Sequence, residues 1–358
     1  MASLAGRQWP VLAPMLAVAF LGGCRQAPPA AALPPLGPGT QLEFTVPGAV
    51  ALAPVIAARP PLVAVAFATR DSRGARVYLS TSADNGATFT EPTPVDDDGA
   101  AMETGDEELR LLFAPLAAQP SARPSVRLEW RRADGRTVSR LVHPWRREPF
   151  RGVPMPVEVV REQAVASCAP DGEVLLVAGF RGRGPVSVNH AMADGACVPQ
   201  DQSAVTDARQ WVHAAWVGGP ADETRRVLYA ASSDRQWFGG AQALVETGQQ
   251  PSNVSLVTDP NDTVVTVWDG NARGTRHVFL RQLLPSHHGP ATLLPLTRLT
   301  GDAGGSHPAL ASITGGVIVV WRVPSTGGLA LRRVGLDAVC AVPTLSTTVS
   351  TVSGGTSR

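Results

Sequence analysis

The chain has 358 residues, of which 44% are hydrophobic, and its formal net charge at pH 7 is +1. A chain of this length and hydrophobicity can bury a large core, which excludes an intrinsically disordered protein and allows one large domain or two smaller ones. The small net charge provides no global field that would attract nucleic acid, so we predict no nucleic-acid partner.

The N-terminal residues predict export. Arg7 precedes an apolar stretch that is too short to span a membrane, which is typical of a secretory signal peptide. This stretch ends in Leu-Gly-Gly-Cys, which resembles the lipobox of bacterial lipoproteins. The resemblance implies a lipoprotein signal peptide at residues 1–23, cleavage before Cys24 and a membrane contact through lipid on Cys24. An ordinary signal peptide is the alternative.

The residues that follow predict how the domain is attached. Residues 24–40 are rich in Pro and Ala and are expected to form an extended tether. Arg25 directly after Cys24 fits sorting to the bacterial outer membrane, with the protein facing either the periplasm or the cell surface.

A repeated pattern runs through residues 41–343. Apolar segments that end in an aromatic residue recur roughly 50 residues apart, each preceded by a segment of small residues and followed by a turn and another strand-like segment. The six aromatic residues are Phe67, Trp130, Phe180, Trp216, Trp268 and Trp321. The pattern predicts an all-β fold, a six-bladed β-propeller, in which Gln41–Val46 adds the outer strand of the last blade and closes the ring. Residues 344–358 are expected to form a flexible C-terminal tail.

The segment STSADNGATF at residues 80–89 has the spacing S-x-D-x-G-x-T-F, formed by Ser82, Asp84, Gly86, Thr88 and Phe89. This spacing resembles the Asp-box of the sialidase and BNR-repeat propellers. Asp accepts backbone N–H bonds in a tight turn, Gly takes a backbone conformation that other residues avoid, and the aromatic covers the turn. The motif is therefore expected to stabilise the turn between the third and fourth strands of a blade, far from the central axis.

The resemblance implies sialidase-like chemistry only if further residues are present. Sialidases of this fold are expected to use a Tyr nucleophile backed by a Glu, an acid/base Asp and three arginines, the first of them in an R-I-P type motif. The chain has no R-I-P segment, and its two tyrosines, Tyr78 and Tyr229, are predicted on third strands rather than at the axis. We therefore assign no catalytic residue.

Three cysteines remain after Cys24. In the predicted ring, Cys197 and Cys340 follow the third strands of blades three and six, which face one another and are too far apart for a bond. Cys168 is expected at the same end of blade three as Cys197, so we predict a Cys168–Cys197 disulfide and a free Cys340.

The sequence contains a histidine pair and two charged segments, but none has the spacing of a known metal site. The adjacent His287 and His288 lie in a loop, and the acidic segment 96–108 lacks the spacing of a calcium loop, so we predict neither a metal nor another cofactor. The Arg-rich segment 123–151 contains SVRLEWR, whose alternation predicts Arg127 and Arg131 on the exposed side of blade two, where they form either a soluble surface or a contact for an anionic partner.

Any pocket at the axis is expected to use polar residues of the first strands. The funnel-lining candidates are Glu162, Gln163, Asn253, Ser255 and His307, with Ser203 and Ser306 as further polar positions. The sequence thus favours a non-catalytic envelope lipoprotein that binds a protein or a carbohydrate. The alternative is a glycan-active, exo-sialidase-like hydrolase, which two carboxylates about 5 to 10 Å apart at the axis would favour.

Overall fold

The computed structural model describes most of the predicted domain. The described residues are 42–71, 74–95, 109–113, 124–131, 137–145, 153–154, 165–168, 174–180, 185–191, 197–218, 225–233, 238–245, 249–286 and 289–336. Side chains can be described in these ranges except at positions 71, 74 and 153–200. No helix among these residues is long and apolar enough to cross a membrane.

The described residues form six antiparallel sheets that follow one another along the chain, which confirms the predicted all-β class. The first sheet has the order β2-β3-β4-β5, the second β6-β7-β8-β9 and the third β10-β11-β12. Their strands are β2 (Val50–Arg59), β3 (Leu62–Asp71), β4 (Gly74–Ser82), β5 (Thr93–Pro94), β6 (Arg110–Phe113), β7 (Val126–Arg131), β8 (Thr137–Val142), β9 (Val153–Pro154), β10 (Val165–Cys168), β11 (Val174–Phe180) and β12 (Pro185–Ala191).

The fourth sheet has the order β13-β14-β15-β16, and the fifth has the order β17-β18-β19-β20 with β21 also paired to β19. The sixth sheet has the order β22-β23-β24-β1. Their strands are β13 (Cys197–Thr206), β14 (Val212–Gly218), β15 (Arg226–Ser232), β16 (Gln242–Ala243), β17 (Ser252–Thr258), β18 (Val264–Ala272), β19 (Thr275–Leu284), β20 (Thr292–Leu293), β21 (Thr297–Arg298), β22 (Ser306–Ile313), β23 (Gly316–Val323), β24 (Gly328–Gly335) and β1 (Leu42–Phe44).

The N-terminal strand β1 belongs to the last sheet. Leu42 pairs with Leu331 and Phe44 with Leu329 of β24. The prediction that this segment is the outer strand next to the last repeat is therefore confirmed at the level of the sheet. Because one sheet contains both ends of the described chain, the sheet edge of β24 is covered.

Among the described residues, the first strands of neighbouring sheets lie side by side at five boundaries. β2 contacts β6, β10 contacts β13, β13 contacts β17, and β17 contacts β22. β22 in turn contacts β2, so the last sheet adjoins the first.

The described side chains of the second strands are almost all buried, and β3, β18 and β23 each pack against two neighbouring sheets. On β3, Ala64 and Ala66 pack with residues of the second sheet, whereas Val63 and Val65 pack with residues of the sixth. The predicted aromatic residues lie on these strands. Those with described side chains are at most 1% exposed: Phe67, Trp130, Trp216, Trp268 and Trp321. Burial on both faces explains why these segments are almost continuously apolar.

The second sheet corrects one expectation. Arg127 was predicted on an exposed face, but it is only 4% exposed. Its guanidinium forms an ion pair with Glu129 at 2.8 Å and donates to Ser139 Oγ at 3.1 Å. The polar side of this strand is covered by other residues, so Arg127 is not part of a surface for an anionic partner. Arg131, at the end of the same strand, is exposed.

Candidate functional site

A buried carboxylate, Asp269 on β18, is the centre of a polar cluster. Ser252 Oγ donates to Asp269 Oδ1 at 2.7 Å, and Arg276 Nε donates to the same oxygen at 3.0 Å. The other oxygen, Oδ2, accepts from Asn253 Nδ2 and from the backbone N–H of His307, both at 2.7 Å. Asp269 has a solvent exposure of 0%. A carboxylate removed from water in this way is stable because it is paired and hydrogen-bonded.

The antiparallel topology brings these residues together. In the fifth sheet the start of β17, the end of β18 and the start of β19 lie at one end of the sheet, where Ser252 pairs with Asp269 and Asn271 pairs with Arg276. His307 lies at the start of β22, the first strand of the next sheet. Contact between β17 and β22 therefore places His307 beside the end of the fifth sheet.

Two β-bulges aim backbone N–H groups at the carboxylates. The register shifts between Ser252 and Ser255 on β17 and between Ser306 and Ala309 on β22. Within these bulges Asn253 has a φ of 54° and His307 a φ of 52°. Asn and His are among the residues that adopt this left-handed conformation most readily. The bulges turn the two N–H groups out of the strand ladder, so they can donate to side chains.

A second carboxylate, Asp201 on β13, adjoins the first. The Asn253 N–H donates to Asp201 Oδ1 at 2.6 Å, while the Asn253 side chain donates to Asp269. One residue thus bridges two carboxylates. Burial raises the pKa of Asp201, and the nearby Asp269 raises it further, against the opposing effects of the Asn253 N–H, Arg225 and Arg276.

The cluster also presents polar groups to solvent. The Arg276 side chain is 39% exposed, although it is paired with Asp269. Its Nη2 donates to the backbone oxygen of Gln250 at 3.4 Å and also contacts Ser252 Oγ. Asp201, Asn253 and His307 are half-buried. The arrangement can therefore offer a guanidinium, a carboxylate, an amide and an imidazole to one ligand.

The predicted funnel residues divide into three groups. Asn253 and His307 meet at Asp269, as described above. Ser255 lies on β17 beyond the bulge and is half-buried, and Ser203 Oγ on β13 accepts the Leu256 N–H at 3.3 Å. Glu162 and Gln163 lie outside the described residues.

Sequence reasoning missed Asp201, Asp269 and Arg276. Asp269 follows Trp268 directly, and the strand contains no other charged residue. A carboxylate in a strand buried on both faces needs a partner, so this position carried a detectable signal. The partners come from other strands and could not be read from local sequence.

The Asp-box residues lie in the turn between β4 and β5, outside this cluster. Asp84 Oδ1 accepts from Ser82 Oγ at 2.7 Å and from the Thr88 N–H at 2.9 Å, while Oδ2 accepts from Thr88 Oγ1 at 2.5 Å. Ser82 Oγ also accepts the Gly86 N–H at 2.8 Å. Burial opposes ionisation of Asp84, but the hydrogen bonds from Thr88, Ser82 and Ala87 outweigh it and lower the pKa of this carboxyl.

The same turn contacts neighbouring sheets. The Phe89 ring packs edge to face on Phe44 of β1, with 5.5 Å between ring centroids. Trp145, which follows β8, donates its Nε1–H to the backbone oxygen of Ser82 at 3.3 Å. The Asp-box turn therefore touches both the sixth sheet and the second.

The remaining predicted positions stay predictions. Cys168 is the last residue of β10, and Cys197 is the first residue of β13, which belongs to the fourth sheet rather than the third. Their disulfide stays a prediction. Cys24, Cys340, His287 and His288 lie outside the described residues. In the described part of the chain, no group of three or more His, Cys, Asp and Glu side chains is placed to hold a metal ion.

Both tyrosines lie on third strands, as predicted. Tyr78 on β4 stacks on Phe67, with 5.8 Å between ring centroids. Tyr229 lies on β15, and neither tyrosine contributes to the cluster around Asp269.

Comparison with known proteins gives only distant similarities. No protein family and no curated protein matches the sequence. Among solved structures, a protein of unknown function from Dyadobacter fermentans aligns with a TM-score of 0.49 and 13% identity, over 83% of this chain and 98% of that chain. A Hadza microbial sialidase aligns with a TM-score of 0.43 and 12% identity, over 81% of this chain and 66% of that chain. A thermostable family-43 glycoside hydrolase aligns with a TM-score of 0.39 and 12% identity, over 73% and 98% of the two chains.

Proposed function

We propose that this protein is a carbohydrate-binding module of the bacterial envelope, built on a six-bladed, sialidase-like β-propeller. The observation that carries the proposal is the cluster around Asp269, where side chains and backbone groups of the fourth, fifth and sixth sheets converge. Convergent polar groups held by rigid strands are typical of ligand sites.

The arrangement of the sheets supports six blades. Consecutive sheets pack face to face through their second strands, as the two-sided burial of β3 shows. First strands are neighbours at five boundaries, and one of these is the contact of β22 with β2, which joins the last sheet to the first. In a propeller the first strands surround the central axis, so the cluster at the starts of β13, β17 and β22 would lie at one mouth of that axis.

The chemistry of the cluster favours a hydroxylated ligand. The guanidinium of Arg276 and the amide of Asn253 donate hydrogen bonds, and the carboxylate of Asp201 accepts them. Neighbouring hydroxyls on a sugar ring both donate and accept, so a surface that mixes the two kinds of group suits them. The bonds to Asp269 hold Arg276, Asn253 and His307 in place before a ligand arrives, which reduces the ordering that binding requires.

The state of Asp269 favours binding over hydrolysis. Glycoside hydrolysis needs two carboxyl groups that both reach the substrate. Asp269 is fully buried, and both of its oxygens already accept hydrogen bonds. In the pair described here only Asp201 is open to solvent, so the pair supports a binding site with one accessible carboxylate.

The N-terminal sequence supports a position of the domain at the membrane. The lipobox-like segment before Cys24 supports a lipid anchor, and the Pro-rich residues 24–40 would let the domain reach glycans near the membrane.

The proposal is tested by probing the purified protein, without its signal peptide, on an array of bacterial envelope oligosaccharides. We expect specific binding that falls about tenfold or more in Arg276→Ala, because the variant removes the main exposed donor. The matched control is Arg298→Ala, which removes an exposed arginine on β21 and should leave binding unchanged. A protein that binds no oligosaccharide would overturn the proposal. If the protein cleaves a bound glycan and Asp201→Asn abolishes the cleavage, the hydrolase is the correct function and the binding module is rejected.

A further inference from the structure

A cavity lies between the fourth and fifth sheets, away from the cluster around Asp269. It is near the outer strands of these two sheets. Its volume is about 710 Å³. Its described walls come from the end of β15, from residues 238–242, and from residues 285–286 and 289–291 between β19 and β20. We refer to it as the outer cavity. It shares no lining residue with the cluster around Asp269.

The outer cavity has aromatic walls and neutral polar groups. Trp211, Tyr229 and Phe238 line it, together with the amide of Gln242 and the hydroxyls of Ser233 and Ser286. None of its described lining residues carries a charge. Gln242 Nε2 donates to the backbone oxygen of Ala291 at 3.0 Å, which ties the two walls together across the sheets.

Tyr229 is held in place by a buried chain of hydrogen bonds. Its hydroxyl lies 2.8 Å from His213 Nδ1, and His213 Nε2 lies 3.3 Å from Asp207 Oδ2. Burial opposes ionisation of Asp207, but hydrogen bonds from His213 and Trp211 outweigh it and lower the pKa of this carboxyl. Asp207 is therefore a carboxylate, and His213 must donate its Nε2–H to it. Burial raises the pKa of Tyr229, and Asp207 raises it further, so the phenol keeps its proton.

Trp211 is fixed in a similar way. Its backbone N–H donates to Asp207 Oδ1 at 2.8 Å, and the Arg209 guanidinium lies 4.5 Å from the centroid of the indole ring. Two aromatic walls of the cavity are thus oriented by the same buried carboxylate. Walls that are ordered in advance lower the entropy lost when a ligand binds.

We propose that the outer cavity is a separate binding site for a neutral saccharide unit. The half-buried Phe238 ring can pack against the C–H face of a sugar ring, and the hydroxyls of the exposed Ser233 and Ser286 can bond to its hydroxyls. Trp211 and Tyr229 are 5% and 3% exposed and form the rigid base of the cavity. The described lining residues are all uncharged, which suits a neutral ligand better than a charged one. The volume lies within the range of small-molecule sites.

The test uses ligand-observed NMR with the purified protein and a panel of neutral mono- and disaccharides built from glucose, galactose, mannose, xylose and arabinose. Glucuronate is the charged comparison. Gly240 lines the cavity and has open space around an added Cβ, so Gly240→Trp should fill the cavity without straining the backbone. Gly335→Trp is the matched control, because Gly335 also has open space but does not line the cavity.

We expect at least one neutral saccharide to bind, glucuronate not to bind, and Gly240→Trp to weaken the binding by about tenfold or more while Gly335→Trp leaves it unchanged. Phe238→Ala, which shortens one aromatic wall, should weaken the binding too. The proposal fails if no neutral saccharide binds, if glucuronate binds equally well, or if Gly240→Trp has no effect. Binding that is lost in Arg276→Ala and kept in Gly240→Trp would locate the ligand at Asp269. This result would reject the outer cavity as a site and leave the proposed function standing.

Discussion

Asn85 of the first sheet's Asp-box turn and Thr314 between β22 and β23 exchange two hydrogen bonds. Asn85 Nδ2 donates to the Thr314 oxygen at 3.0 Å, and the Thr314 N–H donates to Asn85 Oδ1 at 3.1 Å. These residues are 229 positions apart in sequence. The pair connects the first sheet to the last.

Replacing Asn85 should therefore destabilise the whole domain. Asn85 is 5% exposed and has a φ of 63°, so Asn85→Gly can keep the backbone conformation while it removes the two side-chain bonds. We expect the free energy of unfolding to fall by about 2 kcal/mol, measured by urea denaturation. Asn261→Ala, at an exposed turn, is the control and should change it by less than about 0.5 kcal/mol. Equal stability of the Asn85→Gly variant and the parent protein would show that this pair does not hold the two sheets together.

A glycine is needed at position 86 because the backbone has a positive φ and because a side chain would collide with a neighbour. The φ of Gly86 is 78°, and an added Cβ would lie 2.8 Å from Ile318 Cδ1 of β23. We expect Gly86→Ala to lower the unfolding free energy by about 1 to 3 kcal/mol. Adding Ile318→Val should relieve the steric part but not the backbone part. The explanation is contradicted if the double variant loses more unfolding free energy than the two single variants lose together.

Asp84 should make stability depend on pH. Its pKa in the folded protein lies below its ordinary value, so its stabilising contribution is present above that ordinary value and is lost as the pH falls through the lowered pKa. We expect Asp84→Asn to be less stable than the parent at pH 7 by about 1 kcal/mol, a modest value because the side chain is exposed to solvent. The difference should shrink as both proteins are unfolded at increasingly acidic pH. A difference that grows in acid would be the wrong sign for this mechanism.

Cys24 should determine membrane attachment. If the lipobox-like segment directs lipidation, Cys24→Ser leaves no thiol for the acyl chains, and the protein should move from the membrane fraction to the soluble fraction. The fractions are compared by immunoblotting of cells that express the full chain. Cys340→Ser provides a matched control, since it removes a cysteine far from the lipobox. A Cys24→Ser protein that still fractionates with membranes would refute the anchor.

Local sequence was sufficient to predict the second strands and the turn between β4 and β5. The six aromatic residues that end apolar segments marked the second strands, and the Asp-box spacing located the turn between β4 and β5. Both features depend on residues close together in sequence, because strand alternation and turn chemistry are local. The strand β1 was also predicted in the last sheet, because an unpaired edge needs cover.

The surroundings of these elements depended on the tertiary structure. Alternation predicted an exposed Arg127, but a sheet packed on both faces buries its polar side too, and Arg127 is paired with Glu129. The cluster at Asp269 required two β-bulges and contacts between first strands of successive sheets. A bulge changes which way a residue points without changing its neighbours in sequence, so Asn253 and His307 were recognised as polar positions while their common partner was not. The sequence by itself determined where the strands and turns are, and the packing of six sheets decided which polar groups meet.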